Sequence, residues 1–599
     1  MTIQFQTKPT GATDRPSLSA LPAAGSRVAS QTLSAFLTEH LLPASSILDA
    51  PLPGQTGEIS LQAADPSITY RAVVKRTRAY DRWLVQEDSI WRWYKLDSAR
   101  CDDPLCMLDD LLPLVIGDTT TQERFREEIR QTFLNHAEAL VISQNRDSAL
   151  AQLGYDMTEA YLTDGHRYHP CFKSRVGFTP RENRAYGPEF ANPIKPVWLG
   201  VHKDLASSSS IAASGGQDRL LLTSAEAPLP ESDFHILPVH PWQWEREIEA
   251  ATVLERAAGR IVLLGEAKHG YLAQQSIRTL ADQTSPEAPS LKLALSIRNT
   301  STARTLAAHT VLNAPIISAW LNDIARSDPY LGASGTIFLL ERMGTTVTLP
   351  PTQDRAGNMR GAMAAIWRDP VHKYLRVETE RASPFSILTH LDGNGRPSIG
   401  KWLEAFGVVN WTQQLLRVAA IPVVHLLIAH GVALESHQQN MVLIHQNGWP
   451  LRVALKDFHD GVRFIPGLLR GQAPGLVATP LEHARVNPNS YVEASDPEDV
   501  RDFMFDALFG VNLAELAFFL ERHFGFDERS FWRIAAGGIQ EHLDMDETAR
   551  NGAVTFGLMN NHVVVEDLAR RRLEIGPVPA RRVPNPLVDA LDFRGENNR

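Results

Sequence analysis

"KLALSIRNTSTAR", residues 292–304, reads as a buried strand that carries charge. Leu291, Leu293, Leu295 and Ile297 alternate with Lys292, Ala294, Ser296 and Arg298, and side chains two apart share one face of a strand. Lys292, Ser296 and Arg298 are therefore expected opposite the packing residues. Asn299-Thr300-Ser301-Thr302 then resembles a helix N-cap cluster, which places Arg304 in the first turn of a helix. Cations gathered at a helix N-terminus point to an anion.

The surrounding chain limits what that anion can belong to. A length of 599 residues predicts about two to four domains with a sizeable core. The composition, 43% hydrophobic and 21% charged with mean hydropathy -0.19, is that of a soluble globular protein. A net charge of -10 argues against a nucleic-acid partner, so a basic cluster marks a local site. Cys101, Cys106 and Cys171 are too few for a disulfide framework and suit a reducing cytoplasm. Cys101 and Cys106 form C-x4-C without a second pair, which argues against zinc. No secretory signal is read at the N-terminus. The longest apolar stretch, 419–434, holds Pro422, His425, His430 and Gly431 and reads as a buried helix rather than a membrane span.

Residues 1–30 are rich in Ser, Thr, Pro, Ala and Gly and are expected to form a loose tail, followed by a mainly helical region to about 150. Its clearest helix is 119–140, with Thr120 and Glu123 as a capping box and Phe125, Ile129, Phe133, Ala137 and Leu140 as an apolar stripe. The middle third mixes strands with polar loops, and "ASSSSIAASGGQDR" (206–219) reads as a flexible lid or linker. The last third is α+β. A helix closed by Gly431 precedes a hairpin with strands near 440–445 and 451–456 around Asn447-Gly448.

Four clusters carry chemistry. "GHRYHPCFKSRVGF" (165–178) sets His166, His169, Lys173 and Arg175 among apolar residues; it is either a solvated charge run or a partly buried segment whose cations need anionic partners. "HILPVHPWQWE" (235–245) offers His240 as a cleft wall, with Trp242 and Trp244 more naturally packing residues. "QQSIRTLAD" (274–282) adds Ser276, Arg278 and Thr279 upstream of Lys292, Thr300 and Arg304, and together these form an oxyanion cradle.

The fourth cluster joins "HGVALESHQQN" (430–440) to "KDFHDG" (456–461). His425 and His430 are five apart, about 140° around a helix, and are expected to be unable to chelate one ion. Glu435 and Asn440, also five apart, are followed by two short strands and Asp457. Protein kinases use that layout to hold Mg²⁺ and ATP. No glycine-rich loop is present, and the first and third clusters have no place in a kinase.

Taken in order, "GHRYHPCFKSRVGF", "HPWQ", "QQSIRT", "KLALSIRNTSTART", "HGVALESHQQN", "KDFHDG" and "VPNPL" (583–587) resemble the signature blocks of the IucA/IucC siderophore synthetases, which work independently of non-ribosomal peptide synthetases. The resemblance implies a cupped hand: an N-terminal tail (1–30), a helical thumb (31–155), fingers with the phosphate cradle (156–335) and a distantly protein-kinase-like palm (336–599). It also implies a cytoplasmic homodimer without nucleic-acid or membrane partners. With ATP and Mg²⁺ such an enzyme converts a carboxylate to an acyl-adenylate, releasing pyrophosphate, and an amine or hydroxyl then displaces AMP.

Carried over on this basis, Ser276, Arg278, Thr279 and Lys292 contact the ATP phosphates. Thr300, Arg304 and His437 hold the carboxylate, with Arg304 also near the α-phosphate. Gln439, Asn440 and Asp457 line the nucleotide and metal end, Glu435 being a third candidate metal ligand, and His166, His169 and Lys173 form an anion-contacting block. Lys456 stands where the family often has Arg, which leaves its role open. "YHPCFKSRVGF" followed by "YGPEF" (186–190) resembles members that condense a preformed monoamide with an amine; free citrate is the alternative substrate. Rival classes are a kinase-like phosphotransferase and a non-catalytic polycarboxylate carrier.

Overall fold

From Leu21 the Ser-, Ala- and Gly-rich N-terminal segment is a packed helix. The computed structural model describes residues 18–592, apart from 145, 147–149, 212–232, 301, 351–358, 488–489, 575 and 577–578. In it, helix α1 (Leu21–Thr38) buries Ala24, Gly25, Val28 and Ala29, which corrects the expected tail beyond residue 17; residues 1–17 lie outside the described residues. A Cβ on Gly25 would stand 1.7 Å from the Asp102 carbonyl oxygen, so small side chains here serve close approach.

The mainly helical expectation to 150 is also corrected. Thr56–Gln62, Ile68–Arg76, Trp83–Val85, Trp91–Tyr94 and Asp97–Arg100 pair in one antiparallel sheet. Ile59 and Leu61, then Tyr70, Ala72 and Val74, alternate inward with period two. They share a core with α1 and helix α2 (Thr119–Gln144). α2 buries Phe125, Ile129 and Ala137 as expected, but its cap is Asp118, whose Oδ1 accepts the Thr121 N–H at 2.8 Å, not Thr120.

The cationic blocks lie on β1 (Tyr271–Ala273), β2 (Thr279–Asp282), β3 (Ser290–Leu293), β4 (Leu295–Asn299), β5 (Thr302–Arg304), β6 (Glu341–Val347) and β7 (Ala364–Arg368). A six-stranded sheet runs β1-β2-β3-β7-β6 and ends on Ala206–Ser210. Part of the expected serine-rich lid is thus an edge strand, paired with β6 and fixed by a Ser208 Oγ–Gly344 O hydrogen bond of 3.1 Å. Residues 212–219 of that segment lie outside the described residues.

Register decides which side chains face the cleft. Leu280 lies opposite Leu291, and Leu291 opposite Trp367; all three enter one core. Thr279 lies opposite Lys292, and Lys292 opposite Ile366, so Thr279, Lys292 and Arg368 share the other face.

The single strand expected over 291–299 divides at Ala294, whose N–H donates to the Ala364 carbonyl. β3 stays in the six-stranded sheet, whereas β4 leaves to pair with β5. Thr300, at φ 58°, turns this hairpin, so the expected helix cap is a strand corner. The following helix, α3 (Ala308–Ser327), starts after Ala307 without a side-chain cap. Arg304 therefore ends a strand. Arg298 leaves the Lys292 face and lies 3.8 Å from Glu128.

In the last third, helix α4 (Ile421–His430) continues Val408–Leu415 through a π-turn at Leu416–Ala420. Pro422 lacks an N–H and crowds the preceding turn, and the wider π-turn accommodates it. Gly431, at φ 76°, closes the helix. Val408–His430 and Pro497–Phe524 are long and apolar enough to cross a membrane, but their apolar windows are 78% and 83% buried, as core helices are. Strands β8 (Met441–Gln446) and β9 (Trp449–Leu455) form the expected hairpin, with Asn447 and Gly448 at φ 51° and 90°.

Two histidines of this helix meet one carboxylate from elsewhere in the chain. The Nε2 atoms of His425 and His430 lie 3.2 Å and 2.9 Å from the same Asp328 Oδ2. Their helical angle does not keep them apart, because Asp328 enters from another segment and stands between their two directions.

Gly25→Ala should destabilise the chain by about 1–3 kcal/mol, through overpacking against the Asp102 carbonyl. A Cβ at Gly537, inside the helix Glu528–Met545, meets nothing within 4 Å, so Gly537→Ala should be neutral or stabilising. Urea-unfolding midpoints of the two variants check the contrast.

Candidate active site

The cationic side chains gather around Asp457. It follows the β8–β9 hairpin in a left-handed conformation, φ 68°, which a non-glycine residue holds only when its surroundings enforce it. Its Oδ2 lies 3.1 Å from Lys292 Nζ, and its Oδ1 accepts from Arg368 Nη1. Burial opposes its charge, but Lys292 and Arg368 outweigh burial and hold the carboxyl well below the usual range. Burial in turn pulls the Lys292 ammonium down to about 8, although Asp457 partly restores it. Arg368 also donates to Gln274 Oε1 at 2.8 Å, tying the hairpin to the turn that carries Ser276.

That turn is self-supporting. Ser276 Oγ accepts the Thr279 N–H at 3.1 Å and donates to Thr279 Oγ1 at 2.7 Å, while Ile277 takes φ 67°. Arg278 places one nitrogen, Nη1, 2.8 Å from both the Arg304 and Thr305 carbonyls and so props the end of β5. Arg304 in turn donates from Nη2 to Thr300 Oγ1 at 2.6 Å, across the hairpin. Burial, with Arg278 nearby, lowers the Arg304 guanidinium to about 10. Its Nε is buried without a protein partner. The cradle anticipated from these residues is assembled by strand register and side-chain props, with no helix terminus.

Two histidines meet it from the 165–178 segment, which bridges to β4 through Val176 and Arg298. Gln31 Nε2 donates to the His166 and His169 carbonyls, each at 2.7 Å. His166 Nδ1 accepts the Tyr168 and His169 N–H groups, and His169 Nδ1 accepts the Cys171 N–H. Both rings are thereby fixed with the proton on Nε2. His169 Nε2 is buried without a protein partner, and Arg304 is among the charges it senses. Burial lowers His166 to about 3 and His437 to about 4, so these rings are neutral donors at neutral pH.

Lys173 has a different role from its expected one. It lies 3.3 Å from Glu189, which Arg175 also grips through both oxygens. Burial opposes the Glu189 charge, yet Arg175 and Lys173 hold it at about 2. Lys173 therefore belongs to a buried ion cluster behind the cleft, and "YGPEF" accompanies "FKSRVGF" because Glu189 neutralises its two cations. His240, expected as a cleft wall, is fully buried and caps the turn at Pro241 by accepting the Trp242 N–H.

At the opposite end, Asn440 donates from Nδ2 to the Glu435 carbonyl at 2.8 Å, which fixes the orientation of its amide. Gln439 stands beside it in the short Gln438–Asn440 turn. Burial, with Asp460 and Glu566 nearby, raises the Glu435 carboxyl to about 7, a poor state for a metal ligand. Among the described residues, no three carboxylate, imidazole or thiolate atoms converge at Asp457. Asp457 and Asn440 nevertheless offer two hard oxygens, which fits Mg²⁺ when phosphate oxygens complete its shell.

Lys456 points away from the cleft, donating to Glu159 Oε1 at 2.7 Å and to Tyr155 at 3.0 Å. Glu159 Oε2 accepts the Gln275 N–H at 3.1 Å, so Lys456 braces the Ser276 turn from behind. Sequence reasoning missed Arg368. Its signal was the period-two argument already applied to Lys292, here in "AAIWR", where Ile366 and Arg368 flank Trp367.

The chain matches the model described as the IucA / IucC family over residues 154–390. A model described as ferric iron reductase FhuF-like transporter matches residues 409–575. A Staphylococcus aureus protein named 2-[(L-alanin-3-ylcarbamoyl)methyl]-3-(2-aminoethylcarbamoyl)-2-hydroxypropanoate synthase is 34% identical over 94% of this chain and 92% of its own length. A Bacillus anthracis protein named citryl-spermidine/3,4-dihydroxybenzoyl-citryl-spermidine:spermidine ligase is 36% identical over 81% of this chain and 80% of its own. The crystal structure of petrobactin biosynthesis protein AsbB from Bacillus anthracis superposes with a TM-score of 0.85 at 31% identity, over 96% of this chain and 97% of that one.

Lys456→Met should cost about 3–5 kcal/mol, because it strands the Glu159 carboxylate in the interior. Adding Glu159→Gln should recover most of the loss. Urea unfolding of the single and double variants measures both, and equal instability of the two would refute the bracing role.

Proposed function

The chain belongs to the IucA/IucC family of siderophore synthetases, and from that premise we propose that it uses ATP to adenylate a citrate-derived carboxylate and condenses it with an amine. The observation that carries this reading is the charge inventory of the cleft. Arg278, Lys292, Arg304 and Arg368 converge there, and Asp457 is the carboxylate that pairs with two of them. Arg278 and Arg304 have no ion-pair partner among the described residues, with Glu341, Asp460 and Glu435 acting on the cluster only from further off, and a triphosphate beside a carboxylate would supply the opposing charge.

Lys292, Arg368, Arg278, Ser276 and Thr279 bind the phosphates on one sheet face, and Gln439 lines the nucleotide. Arg304, aimed by Thr300, spans the substrate carboxylate and the α-phosphate, while His437, His169 and His166 supply neutral N–H donors to the carboxylate. The carboxylate oxygen attacks the α-phosphorus and pyrophosphate leaves. The amine then attacks the acyl carbon and AMP leaves. Both steps gain from groups fixed before the charge moves. Mg²⁺ held by Asp457 and Asn440 neutralises phosphate charge when bound. In the free enzyme the Asp457 carboxylate occupies Lys292 and Arg368, so it acts as an internal stand-in for phosphate.

The hairpin between Asn440 and Asp457 supports a kinase-like palm within a cupped-hand arrangement of thumb, fingers and palm, with boundaries near 155 and 335. A phosphotransferase reading leaves Arg304, Thr300 and His169 without a task. The monoamide-condensing subtype draws support from the two bacterial relatives, whose names describe amide-bearing citrate derivatives. All three cysteines are unbridged, in keeping with a reducing cytoplasm. The homodimer implied by the family resemblance is checked by light scattering.

Carboxylate-dependent ATP–pyrophosphate exchange tests the reading: AMP and pyrophosphate are expected, and ADP would overturn it. Arg304→Lys should lose at least about tenfold in this exchange, on the order of 1.4 kcal/mol in the barrier, because an ammonium lacks the planar fork. ATP binding by calorimetry should fall far less. ATP affinity should also weaken as pH rises above about 8, where free Lys292 loses its proton, with a limiting slope of about one log unit per pH unit. Lys292→Arg should move that decline to higher pH; a flat Kd across the range in wild type would exclude Lys292 as a charged phosphate ligand.

A further inference from the structure

Away from the cleft, a second group of ligand atoms converges where α3 ends against α4. Asp328 lies between α3 and the short helix Pro329–Ser334, and its Oδ1 caps the latter by accepting the Leu331 N–H at 2.9 Å. Its Oδ2 faces His425 Nε2 at 3.2 Å and His430 Nε2 at 2.9 Å. The three ligand atoms lie within 4.8 Å of one another, and all three residues are buried. We propose that Asp328, His425 and His430 form a binding site for a divalent transition metal, with Zn²⁺ the best match, that staples the α3 end to α4.

The spacing suits that ion. Tetrahedral ligands about 2.1 Å from Zn²⁺ stand about 3.4 Å apart, so small ring rotations convert the observed contacts into a coordination shell. Two imidazoles and one carboxylate are a donor set that transition metals favour over Mg²⁺ or Ca²⁺. Outer partners are already in place. The Leu331 N–H orients the carboxylate through its other oxygen, and His542 Nε2 lies 2.8 Å from His425 Nδ1. Tyr330 packs on both rings, with centroids 4.5 Å from His425 and 4.4 Å from His542. Such contacts fix ring orientation and tautomer at metal centres. Asp328 and His430 also line a cavity of about 320 Å³, with Trp320, Leu469 and Arg470, which gives a route in and room for a fourth, exogenous ligand.

The metal-free state has its own hydrogen-bond pattern. Both Nε2–H groups donate to Asp328 Oδ2, and His425 Nδ1 then accepts from His542 Nε2–H. Metal on the Nε2 atoms moves each of these protons to Nδ1. The His425–His542 hydrogen bond therefore reverses direction on loading.

The experiment uses the full-length protein, stripped with a chelator and kept free of nucleotide, with Zn²⁺ and Co²⁺ as probes. One equivalent of Zn²⁺ should bind with micromolar affinity or better and raise the melting temperature, and Co²⁺ should give the visible d–d bands of a low-coordinate site. His430→Gln and Asp328→Asn, which keep hydrogen-bonding capacity and the helix cap, should weaken Zn²⁺ binding at least about 100-fold, beyond the loss caused by removing an outer-shell partner. Asp457→Ala should leave it unchanged, which separates this site from the nucleotide cleft. Histidine-selective ¹⁵N spectra of the wild type should show Nε2–H to Nδ1–H exchange on Zn²⁺ addition, a readout independent of the variants. Absence of stoichiometric binding by the wild type, undiminished affinity in His430→Gln, or unchanged tautomers would each overturn the proposal.

Discussion

The Asp457 carboxylate, held between Lys292 and Arg368, joins two separately built parts of the chain. Lys292 and Arg368 belong to a six-stranded antiparallel sheet whose other face packs into a core with Leu280, Leu291 and Trp367. Asp457 belongs to a hairpin sheet backed by the largest helical core. Each part offsets its buried charge chiefly across the junction, with Glu341 on the sheet side and His459 and Lys456 on the hairpin side contributing less, so loss of one partner leaves buried charge poorly compensated. The left-handed backbone at Asp457 shows that conformational strain is tolerated to keep this alignment. A contact formed between like-structured halves could slide; one formed by three opposed buried charges has a single register.

Behind this junction lies a second tier of buried ion pairs. Lys456 with Glu159, Arg175 and Lys173 with Glu189, and His459 with Glu341 each support a loop that carries cleft residues. His459 both donates its backbone N–H to Glu341 and pairs with it through Nδ1, which fixes the segment just beyond Asp457. Charged side chains in the interior thus serve position here, and their net contribution to stability is small unless a partner is removed.

The sequence made the cleft more legible than the fold around it. Period-two alternation located the Lys292 face, and the Asn-Gly turn located the hairpin, because both are local signals. The helix cap at Thr300 was misread: a run of short hydroxyl side chains serves a strand corner as well as a helix start, and only the pairing of β4 with β5 decides between them. The sheet over 56–100 was passed over although Ile59, Leu61, Tyr70, Ala72 and Val74 alternate cleanly. The N-terminal helix failed for a related reason, since Ala, Gly and Ser mark both loose chain and close helix packing, and the deciding Asp102 carbonyl is remote in sequence. Lys173 and Lys456 could be assigned only once their anions, Glu189 and Glu159, were seen in space. The convergence of His425 and His430 likewise depended on a third residue about a hundred positions away.

The locked imidazoles also bear on how the enzyme tolerates acid stress. Because backbone N–H groups occupy the Nδ1 atoms of His166 and His169, and burial disfavours their protonation, neither ring becomes a cation as a cell acidifies toward pH 5. These two rings therefore keep the same donor pattern over that range.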